Sequence, residues 1–94
     1  MHFSPADKIK ISDQVLSQEV SGETVLLDLQ SEFYFGLDKT GTRIWELLQS
    51  GVSIEDLIGT MLDEFEVDRE TLEADLNALL GKLLEAGLVS VDPS

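Results

Sequence analysis

The chain has 94 residues, 19 of them acidic and six basic, for a net charge of −13. That length suits one domain with a modest core, and that charge argues against nucleic acid as a partner, since phosphates are neutralised by Lys and Arg. Cysteine is absent, which removes disulfides and thiolate metal sites and fits a reducing cytosol.

Residues 1–14 are polar, contain Pro5 and show no sustained pattern, so a flexible N-terminal arm is expected, with Ile9 and Ile11 able to pack as a short extension. The segment lacks the apolar stretch of a signal peptide, and no apolar run approaches the roughly 18 residues needed to span a bilayer, which points to a cytoplasmic protein without membrane contact. Three short apolar runs follow. Val15–Val20 alternates weakly, Ser21-Gly22 signals a turn, and Glu23–Leu29 puts Val25, Leu27 and Leu29 on one face and Thr24, Leu26 and Asp28 on the other. Gln30-Ser31 reads as a second tight break before the aromatic run Glu32–Gly36. Links this short join antiparallel strands into a meander.

Three helices are predicted next. Asp38 is the N-cap of the first, Ile44, Leu47 and Leu48 its apolar stripe with Trp45 beside it, and Gly51 its C-terminal stop. Ser53 and Asp56 form a capping-box pattern for the second, with Val52 stapled to Leu57 and an apolar series running to Phe65. The third starts at Asp68, carries Leu72, Leu76, Leu79, Leu80, Leu83 and Leu84, and closes at Gly87, with Leu88 placed against Leu83. Leu88–Val91 is a short apolar tail that either adds a strand or packs on the core. Strands followed by helices give an α+β domain over residues 15–91, winged-helix-like, with a three-stranded antiparallel sheet followed by three helices.

Catalytic chemistry finds few candidates. The only histidine is His2, in the arm, and without cysteine or a second histidine the usual nucleophiles lack a base. Asp63, Glu64, Glu66, Asp68 and Glu70 suggest a metal cluster, but Phe65 occupies a ligand position of a calcium loop beginning at Asp63 and no glycine marks its turn. No glycine-rich phosphate loop is present. A carrier protein would need a serine in an Asp-Ser-Leu setting at a helix start, whereas Ser53 lies between Val52 and Ile54. A solvated helix face accounts for the acidic residues between Glu55 and Asp75. A non-enzymatic protein with no cofactor and no metal is expected.

The positive signal is the aromatic strand. Edge strands of soluble proteins are normally blunted by charge or proline, yet Phe33, Tyr34 and Phe35 follow one another with only Glu32 as a charge. Core packing would account for one face, Phe33 with Phe35, but Tyr34 then points the other way. Capture of an extended peptide at this edge is the alternative use.

Leu26-Leu27-Asp28-Leu29, Tyr34-Phe35-Gly36-Leu37-Asp38 and Thr40-Gly41-Thr42-Arg43-Ile44-Trp45-Glu46-Leu47-Leu48 together resemble the PqqD-like family of peptide-recognition domains, as do Asp75, the leucines of the third helix and Leu84-Glu85-Ala86-Gly87-Leu88. The resemblance covers about Val15 to Val91. It implies a RiPP recognition element that binds the leader region of a ribosomally made precursor peptide, adds it antiparallel to the third strand and seats it in a groove against the third helix. It assigns Glu32, Phe33, Tyr34, Phe35 and Gly36 to the strand side, and Leu72, Asp75, Leu76, Leu79 and Leu80 to the helix side. Gly36-Leu37-Asp38 and Ile44-Trp45 are more similar to stand-alone leader-binding proteins of lasso-peptide pathways than to PqqD itself, which has Leu-Asn at that point and Cys-Asp-Gly where Gln49-Ser50-Gly51 stands. The implied partners are the leader peptide and a separate leader peptidase. Alternatives are a PqqD-type chaperone serving a radical-SAM enzyme, and an acidic winged-helix regulatory or dimerisation domain whose edge pairs with itself in a weak homodimer.

Overall fold

Residues 6–92 are described by the structure, a computed structural model. The chain runs β1 (Lys8–Ile11), β2 (Val15–Val20), β3 (Glu23–Asp28), β4 (Tyr34–Leu37), α1 (Lys39–Gln49), α2 (Ile54–Glu64), α3 (Arg69–Glu85) and β5 (Val89–Asp92). Strands β2, β3 and β4 form the antiparallel meander in that order, and β1 pairs antiparallel with β5 in a second, two-stranded sheet. This is the α+β, winged-helix-like arrangement that the order of the elements predicts.

The helix boundaries follow from local chemistry. Asp38, Ser53 and Asp68 cap the three helices, accepting from the backbone N–H groups of Gly41 (2.7 Å), Asp56 (3.2 Å) and Thr71 (2.7 Å). Gly51 and Gly87 stand just past the ends of α1 and α3 at φ +80° and +77°, a conformation that costs a glycine little. After α3 the Leu88 N–H donates to the Leu83 carbonyl at 2.9 Å and the Gly87 N–H to that of Leu84 at 3.1 Å, a Schellman closure. The core lies between the inner face of the meander and the helices: Leu26 and Leu37 from the sheet, Ile44, Trp45 and Leu48 from α1, Leu57 and Met61 from α2, and Leu72, Leu76, Leu80 and Leu83 from α3. Across the helix surface, Arg43 of α1 grips Glu64 of α2 through two hydrogen bonds of 2.7 Å.

Two local features differ from the sequence reading. The arm expected over residues 1–14 includes residues 1–5, His2 among them, which lie outside the described residues. Within its remainder Lys8–Ile11 is a strand, with Ile9 buried and paired to Val91. The Ile54 N–H donates to the Asp7 carbonyl (2.9 Å) and the Ser12 N–H to that of Leu88 (2.9 Å), so this strand joins the start of α2 to the end of α3. The apolar tail Leu88–Val91 is accordingly an added strand.

The second break is longer than Gln30-Ser31. Asp28 accepts from the Gln30 N–H (3.0 Å) and the Ser31 hydroxyl (2.7 Å), and Glu32 turns the chain at φ +62°. Those bonds hold the Asp28 carboxyl below its ordinary pKa, the Ser31 hydroxyl being the larger cause. The aromatic strand therefore begins at Tyr34 and ends at Leu37, displaced from the expected Glu32–Gly36.

The face of β3 that turns to the core is the less apolar of its two. Thr24 and Leu26 are buried, as is Leu37, the partner of Thr24, and Phe35, the partner of Leu26, is half-buried, while Leu16, Leu27 and Tyr34 form one row across the outer face beside Val20 and Val25.

Candidate functional site

A groove of about 490 Å3 runs between β4 with the first turns of α1 on one side and α3 on the other. Its strand wall is Phe35, Gly36 and Leu37, continued by Asp38, Thr40, Gly41 and Ile44. Its helix wall is Asp75, Ala78, Leu79 and Lys82, the i, i+3, i+4, i+7 stripe of one helical face. Gly41 lets the two segments of the strand wall approach, since a Cβ there would lie 3.3 Å from both the Leu37 Cβ and the Asp38 carboxylate. The groove is mixed in character: Phe35 and Leu79 are half-buried, and Asp75 and Lys82 are exposed.

The main chain of β4 supplies the second half of the site. Asp28 N–H donates to the Phe33 carbonyl at 3.0 Å, which makes residues 28 and 33 a hydrogen-bonded pair. With the register Leu26↔Phe35 and Thr24↔Leu37, the alternation of an antiparallel ladder turns the N–H and C=O groups of Phe35 and Leu37 toward β3. Those of Tyr34 and Gly36 point the other way, along the side of β4 on which no strand lies among the described residues. An extended peptide laid there meets two donors and two acceptors beside a groove that takes every second side chain. Strand β2 is the other edge of the sheet.

Of the ten residues that the family resemblance assigns to peptide binding, Phe35, Gly36, Asp75 and Leu79 line the groove. Leu72, Leu76 and Leu80 are 2%, 2% and 0% exposed and face the core. Glu32 occupies the turn before β4. Phe33 precedes the strand and Tyr34 is on the outer face; both are about three-quarters exposed, at 76% and 74%. Ala78 and Lys82 join the helix wall without having been singled out, although both fall on the stripe that starts at Asp75. Among the described residues, no group of three or more His, Asp or Glu is placed to hold a metal ion. Nor is any helix among them long and apolar enough to cross a membrane.

The model of the family described as coenzyme PQQ synthesis protein D (PqqD) matches residues 23–89, from β3 to the start of β5. The solved structure of TbiB1 in complex with the TbiA(beta) leader peptide superposes with a TM-score of 0.81 at 44% identity, covering 86% of this chain and 94% of that one. A lasso peptide synthetase B1 complexed with the leader peptide superposes with a TM-score of 0.79 at 29% identity, covering 88% of this chain and 98% of that one. No curated protein matches significantly.

Proposed function

This chain belongs to the PqqD family, and on that premise we propose that it is a non-catalytic recognition domain for the leader region of a ribosomally made precursor peptide. The leader adds as a strand along β4, antiparallel to it, and half of its side chains enter the groove against α3. The observation that carries this reading is the unpaired side of β4, with the Tyr34 and Gly36 main chain turned outward beside that groove. Main-chain pairing gives affinity whatever the peptide's sequence, and the groove gives selectivity. One aliphatic or aromatic anchor fully buried between Phe35 and Leu79 contributes about 1.5–3 kcal/mol.

The likeness to two leader-bound proteins supports a lasso-peptide pathway, in which the loaded domain hands the precursor to a separate leader peptidase. The outer sheet face, with Leu16 at 55% and Tyr34 at 74% exposed, is the apolar surface left open when a peptide fills the groove. It suits contact with that enzyme.

Fluorescence anisotropy with the labelled leader of the neighbouring precursor tests the first claim. Saturable binding that Ala78→Trp removes is expected; absence of saturation contradicts the reading. For delivery, the protein accelerates precursor cleavage by the peptidase. Leu16→Asp, remote from the groove, removes the acceleration while leaving leader affinity unchanged. An undiminished acceleration in that variant excludes the outer face as the contact.

A further inference from the structure

Two charges in the groove are left unused by the fold. Asp38 also lines it, but its carboxylate is occupied as the cap of α1. Asp75 and Lys82 make no ion pair or side-chain hydrogen bond among the described residues, and both are exposed on the same face of α3. They stand seven residues apart, about 10.5 Å along the helix at 1.5 Å per residue, and do not pair with each other. Between them lies the small Ala78, which leaves space opposite Phe35, next to Leu79. The helix wall thus reads anion, gap with apolar floor, cation.

Resting on the leader-binding reading above, we infer that Asp75 and Lys82 select a peptide with opposite charges on either side of its apolar anchor. A strand turns every second side chain to the same face, about 6.7 Å apart. An anchor seated over Ala78 therefore has its same-face neighbours two positions before and after it. With the peptide strand running along α3, as this inference has it, those neighbours reach toward the two ends of the charged stripe, and the length of Lys, Arg or Glu covers the remaining distance. The residue meeting Asp75 is basic and the residue meeting Lys82 is acidic. The arrangement also rejects: a peptide with the two charges exchanged places like against like at both ends, a specificity that shape alone does not give. In a chain of net charge −13, Lys82 is the groove's attraction for an acid that the overall field repels.

The test is selection from a phage-displayed library of random dodecapeptides, panned in parallel on the wild-type protein and on the double variant Asp75→Lys/Lys82→Asp, each checked for its fold by circular dichroism. The wild type is expected to enrich an apolar residue with a basic residue two positions to one side and an acidic residue two positions to the other. The double variant is expected to enrich the exchanged order. Asp75→Asn and Lys82→Gln, titrated separately with a synthetic peptide from the wild-type selection, each weaken binding about two- to fivefold, the range for solvent-accessible pairs. Enrichment of the same anchor without flanking charges, or of the same charge order on both proteins, overturns this inference and leaves leader binding intact. No enrichment on the wild type overturns both.

Discussion

Leu79 and Leu80 are neighbours in sequence with separate tasks. Leu80 is fully buried and Leu79 lines the groove. Leu80→Ala should therefore cost about 2–5 kcal/mol in urea unfolding with little change in leader affinity while the protein remains folded. Ala78→Trp should do the reverse, shifting stability within about 0.5 kcal/mol as an exposed substitution does and blocking the groove. Periodicity identifies the leucine stripe of α3 but not which flank of it faces a cleft, because that depends on where β4 lies. Hence Leu72, Leu76 and Leu80 look like groove residues until the fold buries them, while Lys82 is passed over although it lies seven positions after Asp75. At the same scale, Arg43 hydrogen-bonds Glu64 and holds its carboxyl below the ordinary 4.5. A carboxyl lowered in the folded state binds fewer protons there than in the unfolded chain. Its stabilisation is present above the ordinary value and fades as pH falls through the lowered one. The stability difference between wild type and Glu64→Gln should be measurable at pH 7 and shrink as pH falls below the ordinary carboxylate value; a difference independent of pH contradicts this origin.

At the scale of elements, the helices were legible in the sequence because each carries its own boundary chemistry: Asp38, Ser53 and Asp68 at the starts, Gly51 and Gly87 at two of the ends. The meander was legible from its short links. Its last strand was displaced because the Asp28 side chain captures the loop backbone, so that Glu32 turns rather than extends. Pairing of β1 with β5 was not legible: two four-residue strands from opposite ends of the chain leave no local signature of each other. The ladder pattern assigns an outward N–H to Gly36, and nothing lies within 4 Å of a Cβ added there. Gly36→Ala should thus keep leader binding, and Gly36→Pro, which deletes that donor while sparing the bonds to β3, should weaken it roughly tenfold, about one hydrogen bond. Equal affinities for the two variants by anisotropy would remove β4 from the account.

The molecule as a whole sets a groove between its two parts, strand wall from the sheet and helix wall from α3, and leaves the outer face of the sheet apolar. Nine acidic residues lie between Glu55 and Asp75, on α2, α3 and the link joining them, and their field repels phosphates and attracts cationic groups. Sequence alone could name the strand that presents the edge, but opposing it to α3 required the family resemblance, and only the folded chain shows Asp75, Ala78, Leu79 and Lys82 across from Phe35. The central claim is strand addition at β4. Amide hydrogen exchange followed by NMR, with and without the leader peptide, tests it most directly. The Tyr34 and Gly36 amides, fast in the free protein, are expected to become protected on binding, while the outward amides of β2 are not. Protection along β2, or saturable binding that leaves Tyr34 and Gly36 as fast as before, would contradict it.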